Sequence, residues 1–248
     1  TIDTECDKGP TWQTRHPLRF DSVHRGIPEI LMPLFHRFGI KPTFLLSPEV
    51  IQDEPSCAIL SNIKNCELGT HLHGEFIEPQ ADWNNTITSA AQLIYEPDIE
   101  RQKLENLTRL FEQKFSYKPR SFRAGRFGIS SYTLEFLVDL GYEVDSSVTP
   151  FWTHDFDQGY FNNFWGAPLF PYHPSSHDAR KLGRLKILEV PVTIVNPFFL
   201  KWPRWLLRRM DSRSIFHKRI LPRLGIKIPK TTWLRPQRSA AQELIEVA

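Results

Sequence analysis

Cys66-Glu67-Leu68-Gly69-Thr70-His71-Leu72-His73-Gly74-Glu75 is the stretch on which the fold turns. Cys66 to Gly69 reads as a short strand, and the polar residues gather directly after it. The same arrangement recurs on either side. Upstream, Thr1-Ile2 reads as the stub of a first strand, followed by Asp3 and Glu5, and Pro42-Thr43-Phe44-Leu45-Leu46 reads as a buried second strand. Downstream, Arg120–Arg123 reads as a fourth strand, Tyr142–Asp145 as a fifth and Leu185–Val192 as a sixth. Helical patterns fill the intervals. Pro28–Phe38 carries Ile30, Leu31, Leu34, Phe35 and Phe38 at i, i+3, i+4 spacing, with Gly39 as the stop. A short helix is expected around Pro55–Ile63, and a long one over Asp98–Phe115 with Leu104, Leu107 and Phe111 on one face. Ser130 or Ser131 caps another that ends at Leu140-Gly141, and Ser239–Val247 reads as a last helix. Strands alternating with helices predict an α/β fold, a barrel or a wound sheet, with its chemistry at the carboxyl ends of the strands.

A chain of 248 residues suits one large domain or two small ones, and residues 1–248 are read as one catalytic domain with a basic, aromatic segment at 198–238. Hydrophobic residues at 40% and charged residues at 24% allow an ordinary core. No apolar run approaches the ~20 residues of a membrane span. Cys6, Cys57 and Cys66 are odd in number and form no CxxC pair, which argues against a disulfide framework and a cysteine zinc site. Reduced thiols imply a cytoplasmic location. The chain opens inside a strand, without methionine or a signal-like segment, and is compatible with a targeting segment upstream.

The net charge of +3 is unevenly spread: Lys201–Arg238 carries +11 and the remainder −8. The basic stretch also holds Trp202, Trp205, Phe216 and Trp233. Prolines at 203, 222, 229 and 236 oppose one continuous amphipathic helix, yet tryptophan beside arginine suits a loose contact with an anionic membrane through residues 201–238. A solvated face or a basic substrate rim is the plainer alternative. Nucleic acid is not expected as a partner, because the rest of the chain is acidic.

Four polar clusters stand at strand ends. Asp3 and Glu5, two apart, face one side of a continuing strand and repel unless a cation or proton separates them; they are otherwise a solvated capping pair. His71 and His73 can chelate one metal from a strand end, whereas a helical turn would pair His71 with Glu75 at i, i+4. Either way a histidine, a second ligand and a carboxylate give a site with open positions, as catalytic zinc requires. Arg123, if aimed inward, needs a carboxylate, and Asp3 is the obvious one. Asp145 could do no more than cap the turn at Ser146-Ser147.

In order along the chain, Thr-Ile-Asp3-Thr-Glu5, Lys41-Pro-Thr-Phe, Glu67-Leu-Gly-Thr-His71-Leu-His73, Phe122-Arg123-Ala-Gly-Arg126-Phe-Gly and Gly141-Tyr-Glu-Val-Asp145-Ser-Ser resemble the NodB-homology polysaccharide deacetylases, carbohydrate esterase family 4. The resemblance covers residues 1 to about 195. It implies a distorted (β/α)7 barrel, one divalent metal, usually Zn2+, and removal of acetyl groups from N-acetylated sugars of a polysaccharide or lipid-linked glycan. Carried over, Asp3 is the general base, Glu5 the acidic metal ligand, His71 the first histidine ligand, Arg123 the arginine that orients the base, and Asp145 the acid that tunes a catalytic histidine.

The sequence departs from the pattern at several points. Glu5 replaces the commoner Asp. Glu75 occupies the place of the usual second histidine, four residues after the first, so His73 is favoured as the third ligand with Glu75 as the alternative. Gly125-Arg126 replaces a proline-tyrosine pair. The general-acid histidine of the last strand has no counterpart; His217 is the only later histidine, and the chain is expected to stop short of its seventh strand. Two rival readings remain: a glycosidase using Asp3 and Glu5 as acid and nucleophile, and a non-catalytic module that binds glycan or membrane.

Overall fold

The computed structural model describes residues 1–10, 13–84, 91–211, 223 and 231–235. In chain order its strands are β1 (Ile2–Thr4), β2 (Thr43–Leu46), β3 (Glu67–Leu72), β4 (Ser121–Ala124), β5 (Val144–Asp145), β6 (Thr153–Asp155), β7 (Phe161–Asn163), β8 (Pro174–Ser175), β9 (Asp178–Leu182), β10 (Leu188–Glu189), β11 (Ile194–Val195) and β12 (Thr232–Trp233). The helices are α1 (Met32–Arg37), α2 (Pro48–Gln52), α3 (Glu54–Asn62), α4 (Pro97–Phe115), α5 (Thr133–Leu140) and α6 (Arg204–Leu207). Six strands form one parallel sheet in the order β1-β2-β3-β4-β5-β10. This is the expected α/β architecture. Successive parallel strands joined through helices are what a (β/α) barrel is built from, and among the described residues the edge strands β1 and β10 do not pair with each other.

Glycine permits the closest approaches in this sheet. A Cβ on Gly69 would lie 2.4 Å from the Ser121 carbonyl oxygen of β4, and one on Gly125 would lie 2.3 Å from that of Leu72. Both bring β3 and β4 together just below the polar residues. α4 packs Leu104, Leu107 and Phe111, all fully buried, against the sheet. Each such side chain contributes roughly 1.5–3 kcal/mol of burial. Tyr132 is the N-cap residue of α5, and the Ser130 hydroxyl accepts from the Tyr132 and Thr133 amides at its start.

Three segments differ from the sequence reading. Helix starts six residues before Pro28, as a π-helical stretch Ser22–Leu31 that leads into α1. Its wider i→i−5 bonding, seen as Met32 N–H to Ile27 O, accommodates the proline that lacks a donor. The rotation turns Val23 and Ile27 inward and leaves Ile30, Leu34 and Phe38 exposed. The sixth strand is only Leu188–Glu189, because Glu189 also pairs with Tyr172 and Pro191 interrupts the ladder. The aromatic, proline-rich stretch Phe151–His177, which reads in the sequence as a loop between the fifth and sixth strands, folds into the β6–β7 hairpin and half of the β8–β9 hairpin. Phe151 and Trp165 join Phe199, Leu207 and Met210 in a second, smaller core. The helix expected over Ser239–Val247, Phe216 and His217 lie outside the described residues. No described helix is long and apolar enough to cross a membrane.

Candidate active site

β1, β3 and β4 deliver their polar residues to one edge of the sheet. Parallel register sets His71 beside Arg123 and Asp3 beside Leu45. The carboxylate of Glu5 and the Nε2 atoms of His71 and His73 converge: Glu5 Oε1 lies 3.4 Å from His71 Nε2 and 3.5 Å from His73 Nε2, and the two nitrogens are 3.2 Å apart. Bonds of ~2.0–2.1 Å to a tetrahedral ion place its ligand atoms about 3.3–3.4 Å from one another. The three donors are therefore spaced as three corners of such a shell.

The second ring nitrogens decide the tautomers. His71 Nδ1 sits 3.0 Å from the Arg123 carbonyl oxygen and must donate to it. His73 Nδ1 sits 3.2 Å from Glu75 Oε1 and donates likewise. With both Nδ1 protons engaged, neutral rings turn both Nε2 lone pairs towards Glu5. Three lone pairs aimed at one point, on side chains that are 3%, 5% and 14% exposed, call for a cation. The residues fit a divalent metal of the zinc type, and Glu75 stands on the Nδ1 side of His73, away from the converging atoms. Without a metal the same geometry favours a protonated His73. Burial would lower the His73 pKa, but Glu5 and Glu75 outweigh it and raise it to about 10. Burial likewise opposes charge on Glu5, yet His73 and His71 hold its carboxylate well below the usual range.

Asp3 stands beside this cluster. Arg123 Nη1 donates to its Oδ1 at 2.6 Å, while Nε holds the Ser146 carbonyl and Nη2 the hydroxyls of Thr1 and Ser146. Burial alone would raise the Asp3 pKa; His71 and Arg123 more than offset it and keep the carboxylate ionised. Asp145 is not brought to the same place. It is fully buried, accepts from Ser147 Oγ at 2.6 Å, and no described histidine contacts it. Its neighbour is Glu189, also fully buried. Burial and then Asp145 push the Glu189 carboxyl well above its ordinary value. One oxygen on each acid, Asp145 Oδ2 and Glu189 Oε2, lacks any other partner, so a proton shared between them satisfies both.

The cluster opens on a cavity of about 940 Å³ lined by Asp3, Glu5, Arg123 and both histidines. Around it, Lys8 and Lys103 escaped the sequence reading, and Arg126, Trp233 and Arg235 stood there only as members of a motif or of the basic segment. Lys8, nearly buried, reaches Glu5 Oε2 at 3.4 Å. Arg126 pairs with Glu75 at 2.7 Å. Lys103, entirely buried in α4, donates to the Gly74 and Ile77 carbonyls at 2.8 Å each and so fastens the loop that carries His73 and Glu75. Trp233, in β12, and Arg235, two residues past it, arrive from far along the chain. Glu189 had a signal of its own, an acid set within the apolar run Ile187-Leu188-Glu189-Val190.

No family model and no curated protein matches this sequence. Solved structures do match. A polysaccharide deacetylase from Mycobacterium smegmatis is 19% identical with a TM-score of 0.46, covering 67% of this chain and 45% of its own. Puue allantoinase is 17% identical with a TM-score of 0.43, covering 70% and 46%. A family 4 acetyl xylan esterase from Clostridium thermocellum, solved with a cobalt ion, is 16% identical with a TM-score of 0.34, covering 60% and 59%. The chain is similar to each of these structures over part of its length. It spans about half the length of the first two structures, and the likeness is one of fold. Any activity has to be argued from the side chains of the site.

Proposed function

We propose that this chain is a metal-dependent carbohydrate N-deacetylase of the NodB-homology kind, one catalytic domain over residues 1–248. The observation that supports the reading is the convergence of Glu5, His71 and His73 at the cavity edge, with an ionised, arginine-bound Asp3 beside them. Two imidazoles and a carboxylate form a nitrogen and oxygen set suited to Zn2+. A bound divalent cation supplies Lewis acidity for the acyl oxygen and for water. Asp3 accepts a proton from the attacking water. Arg123 fixes the direction from which Asp3 does so. The water oxygen bonds to the acyl carbon, and the C–N bond breaks as its nitrogen takes up the proton that Asp3 accepted from the water. Asp145 acts as a positioning residue: the Ser147 hydroxyl that donates to it also accepts from the Ala124 amide at the end of β4. A glycosidase pair is disfavoured, since Asp3 is engaged by Arg123 and Glu5 by two histidines.

The test is release of acetate and free amine from N-acetylated sugar oligomers by zinc-loaded, chelated and zinc-restored protein, with Asp3→Asn alongside. Loss on chelation, recovery with zinc and near-complete loss in Asp3→Asn are expected. Hydrolysis indifferent to chelator would sink the metal assignment.

A second proposal concerns location. Trp205 and Leu200 are 58% and 51% exposed, Arg209 lies over the Trp205 ring, and Arg204 lies over the exposed ring of Phe170. This patch supports a peripheral contact with anionic membrane that brings lipid-linked glycans to the site. Arg204→Glu with Arg209→Glu is expected to abolish co-sedimentation with phosphatidylserine-containing vesicles, and unchanged binding would overturn the proposal.

A further inference from the structure

The cavity is charged beyond what its own carboxylates neutralise. Arg123 meets Asp3, Lys8 meets Glu5, and Arg126 meets Glu75. Arg235 lines the same cavity and has no carboxylate partner among the described residues. Its guanidinium carbon instead lies over the Trp233 ring, 4.5 Å from the centroid. Stacking occupies the face of a guanidinium and leaves its N–H edge available. That edge is the part which grips carboxylate or phosphate oxygens.

The placement is built by the chain. β12 pairs with β11, and the Leu234 amide bonds the Thr193 carbonyl, so Trp233 and Arg235 are held beside the cavity-lining stretch Val190–Thr193. Phe127 meets the Trp233 ring at 5.4 Å. Arg126 and Phe127 both adopt positive φ, 54° and 58°. For residues other than glycine this costs on the order of 1 kcal/mol or more each, and such strain gathers at ligand sites. The cavity volume lies towards the upper end of the ~300–1,000 Å³ usual for small-ligand sites, leaving room beyond the reacting group. A divalent cation on Glu5, His71 and His73 would add to the positive field rather than balance it.

We propose that the cavity selects an N-acylated sugar bearing an oxyanion, a phosphate ester or a carboxylate, gripped by the edge of Arg235 beside Trp233. The inference rests on the deacetylase reading and narrows its substrate class.

The experiment is calorimetric titration of zinc-loaded protein with the methyl glycoside of N-acetylglucosamine, its 1-phosphate and 6-phosphate, and the corresponding N-acetylated uronic acid. Acetate release is followed on the same four sugars. At least one anionic sugar should bind tenfold or more tightly than the neutral one. Whether a phosphate or the uronate leads identifies the source of the anion. Arg235→Glu and Arg235→Leu should each cut the anionic-to-neutral affinity ratio at least tenfold, while Arg184→Glu, an exposed control of equal charge change, should leave it in place. Equal binding of neutral and anionic sugars overturns the inference. So does a preference that survives in Arg235→Glu, because the anion then sits elsewhere. In either case acetate released from the neutral sugar leaves the deacetylase reading standing. Absence of both binding and acetate release with all four sugars would remove that reading, and the inference with it.

Discussion

Two buried clusters in this molecule collect acidic oxygens and resolve them in opposite ways. Glu5 faces two imidazole lone pairs at the edge of an open cavity. Asp145 and Glu189 face each other where water does not reach. Each arrangement is costly as it stands, because burial penalises uncompensated charge and unpaired lone pairs alike. The first has access and nitrogen donors, so a metal ion can enter and balance it. The second has neither, so a proton held between two carboxyls is the available remedy. Arg123 sits between the two clusters, gripping Asp3 with one nitrogen and the Ser146 backbone and hydroxyl with the others. Access to solvent, more than the mere presence of acids, separates a metal centre from a structural proton.

The strongest test of that contrast is His71→Ala. Bound zinc should fall from near one per chain to below about a tenth, with hydrolysis dropping about a thousandfold or more, because one of only three protein donors is gone. Elemental analysis of the folded variant reads this directly, and full metal retention would break the comparison at its open end. A smaller effect is expected of Glu75→Gln, which removes the charge behind His73 but leaves all three donors. Zinc affinity should weaken about 10–100-fold in a chelator competition, the usual cost of losing such a partner. Complete loss of zinc would instead promote Glu75 to a ligand.

The closed cluster makes the smallest and most pH-specific prediction. Glu189 titrates higher in the folded chain than its unfolded value of about 4.3, so the fold binds more protons than the unfolded chain. Its contribution to stability is fully present below that unfolded value and is lost as pH rises through the folded one. Glu189→Gln keeps the hydrogen bond to Asp145 without a titrating proton. Its stability in urea should change by about 1 kcal/mol at pH 5 and hold up better than that of the parent towards pH 9. Parallel pH profiles for the two proteins would mean that no proton is shared.

Much of the open cluster was legible in the sequence because its residues follow strand ends within short, ordered motifs. Asp3, Glu5, His71, His73 and Arg123 do meet at one edge. The boundary of β3 was not legible: it runs to Leu72 and takes in His71, since an apolar run marks where a strand is hydrophobic, not where its ladder stops. Pro28 misplaced the helix start because proline suits a first helical turn far more often than a π-helical interior. Asp145 closes a strand as the other site residues do, yet it is buried against Glu189 instead of facing the cavity, and that pairing spans 44 positions of sequence with no local signature. Trp233 and Arg235 were visible only as members of a basic segment. Their place against Phe127 comes from the pairing of β11 with β12, a contact that periodicity does not encode.

Lys103 makes the site's integrity observable from outside it. Burial lowers its amine pKa to about 8, and its three donors are committed between the Gly74 and Ile77 carbonyls and the face of Tyr95. An amine-reactive reagent that reaches the exposed Lys64 and Lys118 at once can reach Lys103 only when α4 lifts from the loop bearing His73 and Glu75. The rate at which Lys103 is labelled, relative to those two, is therefore a clock for the opening of the histidine loop, and it runs without altering any group that would touch metal or sugar.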